Sequence, residues 1–312
     1  MNINHNTKHK IILLSYLFPP YAGVGGFPWA KLCKYLSKLG VVIHVITIKW
    51  KKTGPNTFID DVVNNENIII HRIPSGYPNY LLTWNPKNFI IRLSIIILRK
   101  IYHKIFKIYD RASNWGKYLI PYCEDLIKKE NIKIIISTGA PFMTNVWAAK
   151  LKERNPNITL IQDFRDAWAK ELELANKFKL ANFSKKEISR AIKLQNYSVK
   201  NADKIVSVTK MMLNTYITNY SNKKSLVIDN GYDPLEFTGL NINNRTIPKF
   251  TLTYLGSIFN NRDIPLKILL DTIKNILHTC PEIHIIIIGN MPRKILKNYK
   301  DLIAKNILHF RP

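Results

Sequence analysis

Residues 10–40 read KIILLSYLFPPYAGVGGFPWAKLCKYLSKLG, and this stretch decides the fold class. Residues 10–17 form an apolar run of strand length, which predicts a strand buried on both faces of a parallel sheet. The proline pair at 19–20 ends that strand, because proline lacks the N–H group that a sheet ladder needs. Helical spacing of apolar side chains then predicts a helix over residues 29–39, which Gly40 ends. A strand, a loop and a helix in this order predict one unit of an α/β fold.

Three glycines, Gly23, Gly25 and Gly26, lie between this strand and this helix. Glycine permits positive φ and close approach of a ligand to the backbone, and the N–H groups of a helix N-terminus attract anions. The loop is therefore a candidate diphosphate site, although a turn that only reverses the chain explains it equally well. A dinucleotide loop is disfavoured, because the spacing is not G-x-G-x-x-G and the next predicted strand, residues 41–48, has no carboxylate after it for a ribose.

Strands and helices alternate along the rest of the chain, as in a doubly wound α/β domain. Apolar runs predict further strands at residues 68–73, 132–137, 159–163, 204–208, 225–228, 250–255, 284–288 and 307–310. Periodic segments predict helices at residues 90–109, 115–130, 142–154, 185–202, 210–219, 265–278 and 294–304.

The alternation restarts after a turn at Asp229-Asn230-Gly231, which predicts a second domain. We therefore expect two Rossmann-type domains, residues 1–225 and residues 226–312. The second segment is well short of the roughly 150 residues that a doubly wound nucleotide-binding domain needs. We expect it to be incomplete, ending after its third strand.

Composition favours a globular protein with anionic partners. The 312 residues are 46% hydrophobic and carry 47 Lys and Arg against 21 Asp and Glu, a formal charge of +26. Nucleic acid, acidic lipid or phosphorylated substrates would suit that charge, although AT-rich coding also produces Lys-rich chains. The cysteines Cys33, Cys123 and Cys280 are too dispersed for a disulfide framework or a zinc site, so we expect a cytoplasmic protein. The sequence has no run of 18 apolar residues that would span a membrane.

The predicted helix at residues 90–109 combines a basic face with a wide apolar face. Residues 87–107 contain six Lys or Arg and no acid. Most of these cations, with His103, fall within an arc of roughly 140° on a helix. This pattern favours a helix lying on anionic lipid, with Arg99, Lys100, Lys104 and Lys107 among the head groups. A core helix with a solvated basic face is the alternative.

Three further motifs follow the glycine loop along the sequence: STGAP (137–141), DFRDAW (163–168) and VIDNGYDPLEF (227–237). With the FPP and GG elements, they occur in the same order as in the retaining GT-B glycosyltransferases of family 4, which this chain resembles over nearly its whole length. The resemblance implies transfer of a sugar from a nucleotide-sugar donor to a lipid-linked or polysaccharide acceptor, in cell-surface polysaccharide biosynthesis. It also implies that the first glycine loop, with Gly25 and Gly26, lies near the phosphates of the donor.

The DFRDAW motif provides the strongest site candidates. Two carboxylates flank one guanidinium at the predicted end of a strand, where open α/β sheets bind ligands. We assign Arg165 and Asp166 as candidate catalytic residues, although they could instead form a structural ion pair. In the family, a histidine commonly occupies the position that aligns with Arg165. Four other residues at these strand ends are assigned to the acceptor side: Thr138, Gly139, Asp163 and Trp168.

In the second domain, the resemblance implies phosphate contacts from Gly256, Ser257, Gly289 and a cation. Ser257 stands where family members commonly have arginine, and Arg262 lies near the position of their lysine. No Asp-x-Asp sequence occurs, so we expect a metal-independent enzyme without a cofactor, in which cations and helix dipoles stabilise the diphosphate. Family members also carry a pair of glutamates in a later region that has no counterpart among the 312 residues.

Two other functions are compatible with the sequence. A non-catalytic remnant that binds acceptor and membrane would explain the short second domain. Nucleic-acid binding has only the net charge in its favour, since no recognised nucleic-acid motif occurs. We expect a glycosyltransferase, peripheral at the inner face of the plasma membrane, with no nucleic-acid partner.

Overall fold

The computed structural model describes residues 9–21, 23–50, 58–78, 80–81, 88–239, 250–258, 263–279 and 282–311. The chain forms two compact units, Met1–Asp233 and Pro234–Pro312. The boundary predicted after residue 225 would cut the last strand of the first unit. That strand, Lys224–Val227, pairs with its neighbour in the first sheet, so the division falls after Asp233 instead.

The first unit is built on a parallel sheet of seven strands. Its strands are β1 (Lys10–Ser15), β2 (Val42–Ile48), β3 (Ile68–Ile73), β4 (Ile134–Gly139), β5 (Thr159–Phe164), β6 (Lys204–Ser207) and β7 (Lys224–Val227). Their order across the sheet is β3-β2-β1-β4-β5-β6-β7. The helices are α1 (Phe27–Lys38), α2 (Asp60–Val63), α3 (Phe89–Ile105), α4 (Gly116–Glu130), α5 (Met143–Arg154), α6 (Ala169–Lys177), α7 (Lys185–Asn201) and α8 (Lys210–Ile217).

Strand β1 lies at the centre of this sheet and is buried on both faces, as its sequence predicts. Ile12 and Leu14 belong to the apolar core on one face, whereas Ile11 and Leu13 belong to the core on the other. The strand ends at Ser15, two residues earlier than the apolar run suggested, and the Ser15 hydroxyl donates a hydrogen bond to the Leu17 carbonyl. The fold is α/β and Rossmann-like, with helices on both faces of the sheet.

The second unit is a smaller parallel α/β unit. Its strands β8 (Phe250–Leu255), β9 (Ile283–Ile288) and β10 (Leu308–Arg311) have the order β10-β9-β8. Its helices are α9 (Asp263–Ile276), α10 (Arg293–Asn298) and α11 (Lys300–Ala304). A separate core around Leu270, Ile285 and Leu302 holds them together.

The helix predictions differ from the structure at several points: the helix predicted over residues 90–109 ends at Ile105, and α2 was not predicted. The helix predicted over residues 294–304 is two helices, α10 and α11, separated at Tyr299. The sequence reading missed α6, although AKELELANK is rich in good helix formers.

Candidate functional site

Five predicted site residues surround one cavity at the carboxyl end of the first sheet. The cavity has a volume of about 290 Å³, and Gly25, Thr138, Gly139, Arg165 and Asp166 line it. Ser15 and Asn230, which the sequence reading did not assign, line it as well. The neighbouring strands β1, β4 and β5 all end here, which is where parallel α/β sheets bind ligands.

The glycine loop forms one wall of this cavity. None of its three glycines has positive φ: Gly23 and Gly26 have φ of −84° and −90°, and Gly25 is absent from the positive-φ residues. The loop therefore does not use the positive φ that glycine permits. A Cβ on Gly25 would lie 2.6 Å from Leu17 Cδ1, so the end of the Leu17 side chain would have to move. A Cβ on Gly26 would instead face the Leu17 and Tyr21 carbonyl oxygens, each at 3.4 Å.

Arg165 is held on two sides. Its Nη1 donates to Asp163 Oδ2 at 3.3 Å, and its Nη2 donates to Asn230 Oδ1. Its Nε is buried and has no hydrogen-bond partner among the residues that the structure describes. The side chain is 12% exposed and lines the cavity, so a cation lies at the cavity wall.

Asp163 is a support for Arg165 rather than part of this wall. It is 2% exposed and also accepts a 2.8 Å hydrogen bond from Trp29 Nε1 of α1. Burial raises the pKa of Asp163, and the charge of Arg165 opposes that rise. The ion pair considered between Arg165 and Asp166 is not the one that forms, because Arg165 pairs with Asp163.

Asp166 lies in the cavity wall next to the turn after β4. Its carboxylate accepts a hydrogen bond from the Ala140 N–H, while burial raises the pKa of the group. An exposed carboxylate with a raised pKa, in contact with a cavity, is suited to bind a hydroxyl group.

Trp168 supports the turn at 138–142 from behind. Its ring stacks on Phe142 with centroids 4.7 Å apart, and its Nε1 donates to Tyr109 Oη at 2.6 Å. It is 2% exposed and does not line the cavity. Asp110, which the sequence reading missed, also supports this turn by accepting the Met143 N–H at 2.9 Å. Burial raises the pKa of Asp110 to about 6.

The segment after β7 is fastened to helix α1. Asp233 is 1% exposed and accepts hydrogen bonds from Lys31 at 2.9 Å, Lys34 at 2.7 Å and Tyr35 at 2.7 Å. A second cavity of about 350 Å³ lies beside this cluster, lined in part by Lys31, Tyr35, Asn230 and Arg165. The cluster holds the segment that presents Asn230 to Arg165.

In the second unit, two predicted glycines lie together at strand ends. Gly256 and Gly289 have φ of +141° and +130°, which disfavour other residues. A Cβ on Gly289 would lie 2.4 Å from the Gly256 carbonyl oxygen. Ser257 follows Gly256 and is half-buried, whereas Arg262 lies outside the described residues.

Helix α3 is attached to the first unit by a narrow stripe. Ile95 and Tyr102 pack with Tyr77, Leu81 and Ile108. Most of its other large apolar side chains are exposed: Phe89, Ile90, Ile91, Leu93, Ile96, Ile97, Leu98, Ile101 and Ile105. The alternative of an ordinary core helix does not fit this exposure.

The cations of α3 are not equivalent. Arg99 Nε donates to the Leu81 carbonyl at 2.8 Å and so is tied to the protein. Lys107 has φ of +50° and lies beyond the end of the helix at Ile105, so only three of the four predicted cations are helical. No helix in the described part of the chain is both long and apolar enough to cross a membrane.

Solved structures share this fold at low sequence identity. TarM aligns with a TM-score of 0.58 and 10% identity, over 99% of this chain and 77% of its own. UGT2 of Phytolacca americana, complexed with UDP-2fluoro-glucose and pterostilbene, aligns at 0.50 and 10% over 100% and 72%. An E. coli structure described as trehalose-6-phosphate bound with UDP-2-fluoro glucose aligns at 0.51 and 13% over 97% and 73%.

Comparison with family profiles and with curated protein sequences finds no match. At such low identities, the structural similarity establishes the fold alone. The fold is GT-B, as the order of the four motifs predicted.

Proposed function

We propose that this protein is a glycosyltransferase that moves a sugar from a nucleoside diphosphate sugar to a hydroxyl group of a lipid-linked or glycan acceptor. The observation that carries the proposal is the cavity at the carboxyl ends of β1, β4 and β5. The glycine loop, the turn at Thr138–Gly139 and the Arg165–Asp166 pair meet there, although they come from three separate parts of the sequence. Two proteins that share the fold were solved with UDP-2-fluoro-glucose, which supports this class of donor.

In the proposed reaction, the bond from the anomeric carbon to the diphosphate oxygen breaks, and a bond from the acceptor oxygen to that carbon forms. The nucleoside diphosphate leaves, and the acceptor hydroxyl loses its proton. Arg165, whose side chain lines the cavity, would stabilise the negative charge that grows on the diphosphate. Asp166 would accept a hydrogen bond from a sugar hydroxyl and orient the ring. Gly256, Ser257 and Gly289 are proposed to contact the donor from the second unit.

We also propose that the reaction needs no metal ion and retains the anomeric configuration, as the resemblance to family 4 implies. The test is direct binding of UDP-glucose and UDP-N-acetylglucosamine by calorimetry, with EDTA and with added Mg²⁺, followed by product analysis with acceptor lipids. Binding that EDTA does not weaken supports the proposal. Donor binding without turnover would favour the non-catalytic alternative, and no binding of any nucleotide sugar would contradict both.

The exposed side chains of α3 support a peripheral membrane location for this enzyme, at the cytoplasmic face of the plasma membrane. Its apolar residues would lie at the acyl boundary, with Lys100 and Lys104 among anionic head groups. An enzyme held there would meet a lipid-linked acceptor without extracting it from the bilayer.

A further inference from the structure

A large apolar groove lies on one face of the first sheet, and Arg165 separates it from the strand-end cavity by lining both. Its volume is about 490 Å³, within the range of small-molecule sites. Leu32 and Leu36 of α1 form one wall. The floor consists of apolar side chains from β4, β5, β6, β7 and the segment after β7: Ile136, Ile161, Val206, Leu226 and Ile228.

Strand register shows which face this is. Side chains alternate between the two faces of a strand, and Gln162 of β5 points to α5 and α7, where it bonds the Asn145 carbonyl and Ser198. Ile161 therefore points to the opposite face. On that face, no described helix covers β6 and β7, and Leu226 and Ile228 are 58% and 42% exposed. An apolar surface of this kind marks a binding site more often than a random feature of a soluble protein.

Two lysines lie at one end of the groove in an unfavourable arrangement. Lys204 and Lys224 are direct partners across the parallel pair β6–β7, and both line the groove. Like charges directly opposite each other destabilise a sheet. Neither lysine forms an ion pair with an acidic side chain in the parts of the chain that are described. A local conflict of this kind is expected where function requires it.

The opposite end of the groove has little net charge. There, Arg165 is paired with Asp163, and both residues line the groove. Side chains on one face of a strand recur every second residue. Two such steps lead from the lysines at one end of the groove to its other end, which corresponds to a length of about 13 Å. Its shape is that of an apolar channel with a cationic clamp at one end.

We propose that this groove binds an anionic amphiphile with a single hydrocarbon chain, such as a fatty acid or an alkyl phosphate. Lys204 and Lys224 hold the head group between them, and the bound anion relieves their mutual repulsion. The chain extends over Val206 and Leu226 towards Arg165. The lysine end of this site lies outside the lining of the proposed sugar-transfer cavity, although Arg165 borders both, and the proposal does not depend on that function.

The test is calorimetric binding of dodecyl phosphate below its critical micelle concentration, with dodecanol and inorganic phosphate as the two partial ligands. We expect saturable binding at one molecule per chain, weaker binding of dodecanol and none of inorganic phosphate. Lys224→Glu should weaken dodecyl phosphate binding by at least about tenfold, since it removes one cation and pairs the other. It should also raise Tm. Lys193→Glu makes the same change of charge on exposed α7 and should alter neither binding nor Tm.

Leu226→Glu places a charge in the exposed floor of the groove and should also abolish binding of dodecyl phosphate. Equal affinity of the parent and Lys224→Glu for dodecyl phosphate would overturn the proposal, as would binding of inorganic phosphate as strong as that of the amphiphile. A dimer of the parent that Leu226→Glu dissociates would show that a second copy of the protein covers this face instead.

Discussion

Arg165 Nη2 donates a hydrogen bond to Asn230 Oδ1, which joins the end of β5 to the segment after β7. The two residues are 65 positions apart, and both line the strand-end cavity. Asp163 holds the same guanidinium from its other side. The position of this cation therefore depends on two supporting side chains.

We predict that Asn230→Ala lowers sugar transfer by about tenfold while Tm changes little, because a displaced guanidinium no longer matches the developing charge. Arg165→Lys should lower the rate of sugar transfer by about a hundredfold, since a single ammonium cannot form hydrogen bonds with Asp163, Asn230 and the substrate together. Turnover with UDP-sugar and thermal melting measure the two effects. Unchanged turnover in Arg165→Lys would remove this residue from the catalytic site.

Asp166→Asn should reduce turnover by about ten- to a hundredfold at neutral pH with little change in Tm. The amide still offers one oxygen to the Ala140 N–H, but it loses the negative charge that binds a sugar hydroxyl most strongly. Asp163→Asn is the informative comparison, because that residue is a buried support with hydrogen bonds to Trp29 and Arg165. It should lower both Tm and turnover. A parallel loss of Tm in Asp166→Asn would indicate a structural role instead.

The two neighbouring glycines should respond differently to substitution. Gly25→Ala places a Cβ against Leu17 in the cavity wall, so donor binding should weaken more than stability. Gly26→Val places its methyl groups against backbone oxygens, and we expect a loss of about 1–3 kcal/mol in the free energy of unfolding. Calorimetric binding of donor and chemical denaturation separate these outcomes. Equal losses of stability in both variants would contradict the assignment of Gly25 to the ligand wall.

The positions of the strands could be predicted, because buried parallel strands have continuous apolar runs that can be recognised in a single sequence. Ile68–Ile73 and Phe250–Leu255 were predicted with the same bounds. Relationships that depend on register were not, and the opposition of Lys204 to Lys224 is an example.

The candidate site shows the same division. Strand ends pointed to Thr138 and Arg165, whereas Asn230 and Asp110 lie in connecting segments whose partners are distant in sequence. The Asp163–Trp29 contact could not be inferred either, since it spans 134 positions.

Stability should fall as the pH is lowered through the range of histidine titration. His44 Nδ1 and His71 Nε2 lie 3.0 Å apart on β2 and β3, and His71 Nδ1 lies 2.7 Å from Tyr122 Oη. Burial lowers the pKa of both histidines below the ordinary 6.5, and their mutual repulsion adds to this for His71. The unfolded chain therefore binds protons first. The contribution of the histidine pair to stability is fully present above pH 6.5 and is lost as the pH falls below it.

Comparison with His44→Phe isolates this effect. The raised pKa of Asp110 has the opposite sign and adds stability as the pH falls through about 6, but it is common to both proteins. Denaturation of both proteins at pH 7.5 and pH 5 should show that the parent loses more stability. Equal losses would mean that the histidine pair does not control acid sensitivity.

The last prediction concerns membrane binding by α3. Parent protein should co-sediment with anionic vesicles and poorly with neutral ones, because exposed apolar residues and lysines act together. Lys100→Glu/Lys104→Glu should lower partitioning by about thirtyfold or more, since each cation near an anionic surface contributes about 1 kcal/mol. Lys128→Glu/Lys129→Glu makes the same change of charge at the exposed end of α4 and should have little effect.

Raised salt should weaken binding of the parent, because the surface potential decays over about 8 Å at physiological ionic strength. Ile97→Ser/Ile101→Ser should reduce binding even at low salt, which separates insertion of the apolar face from simple adsorption of a protein with a charge of +26. If both double charge variants sediment alike, the attraction is general to the basic protein and α3 is not the membrane contact.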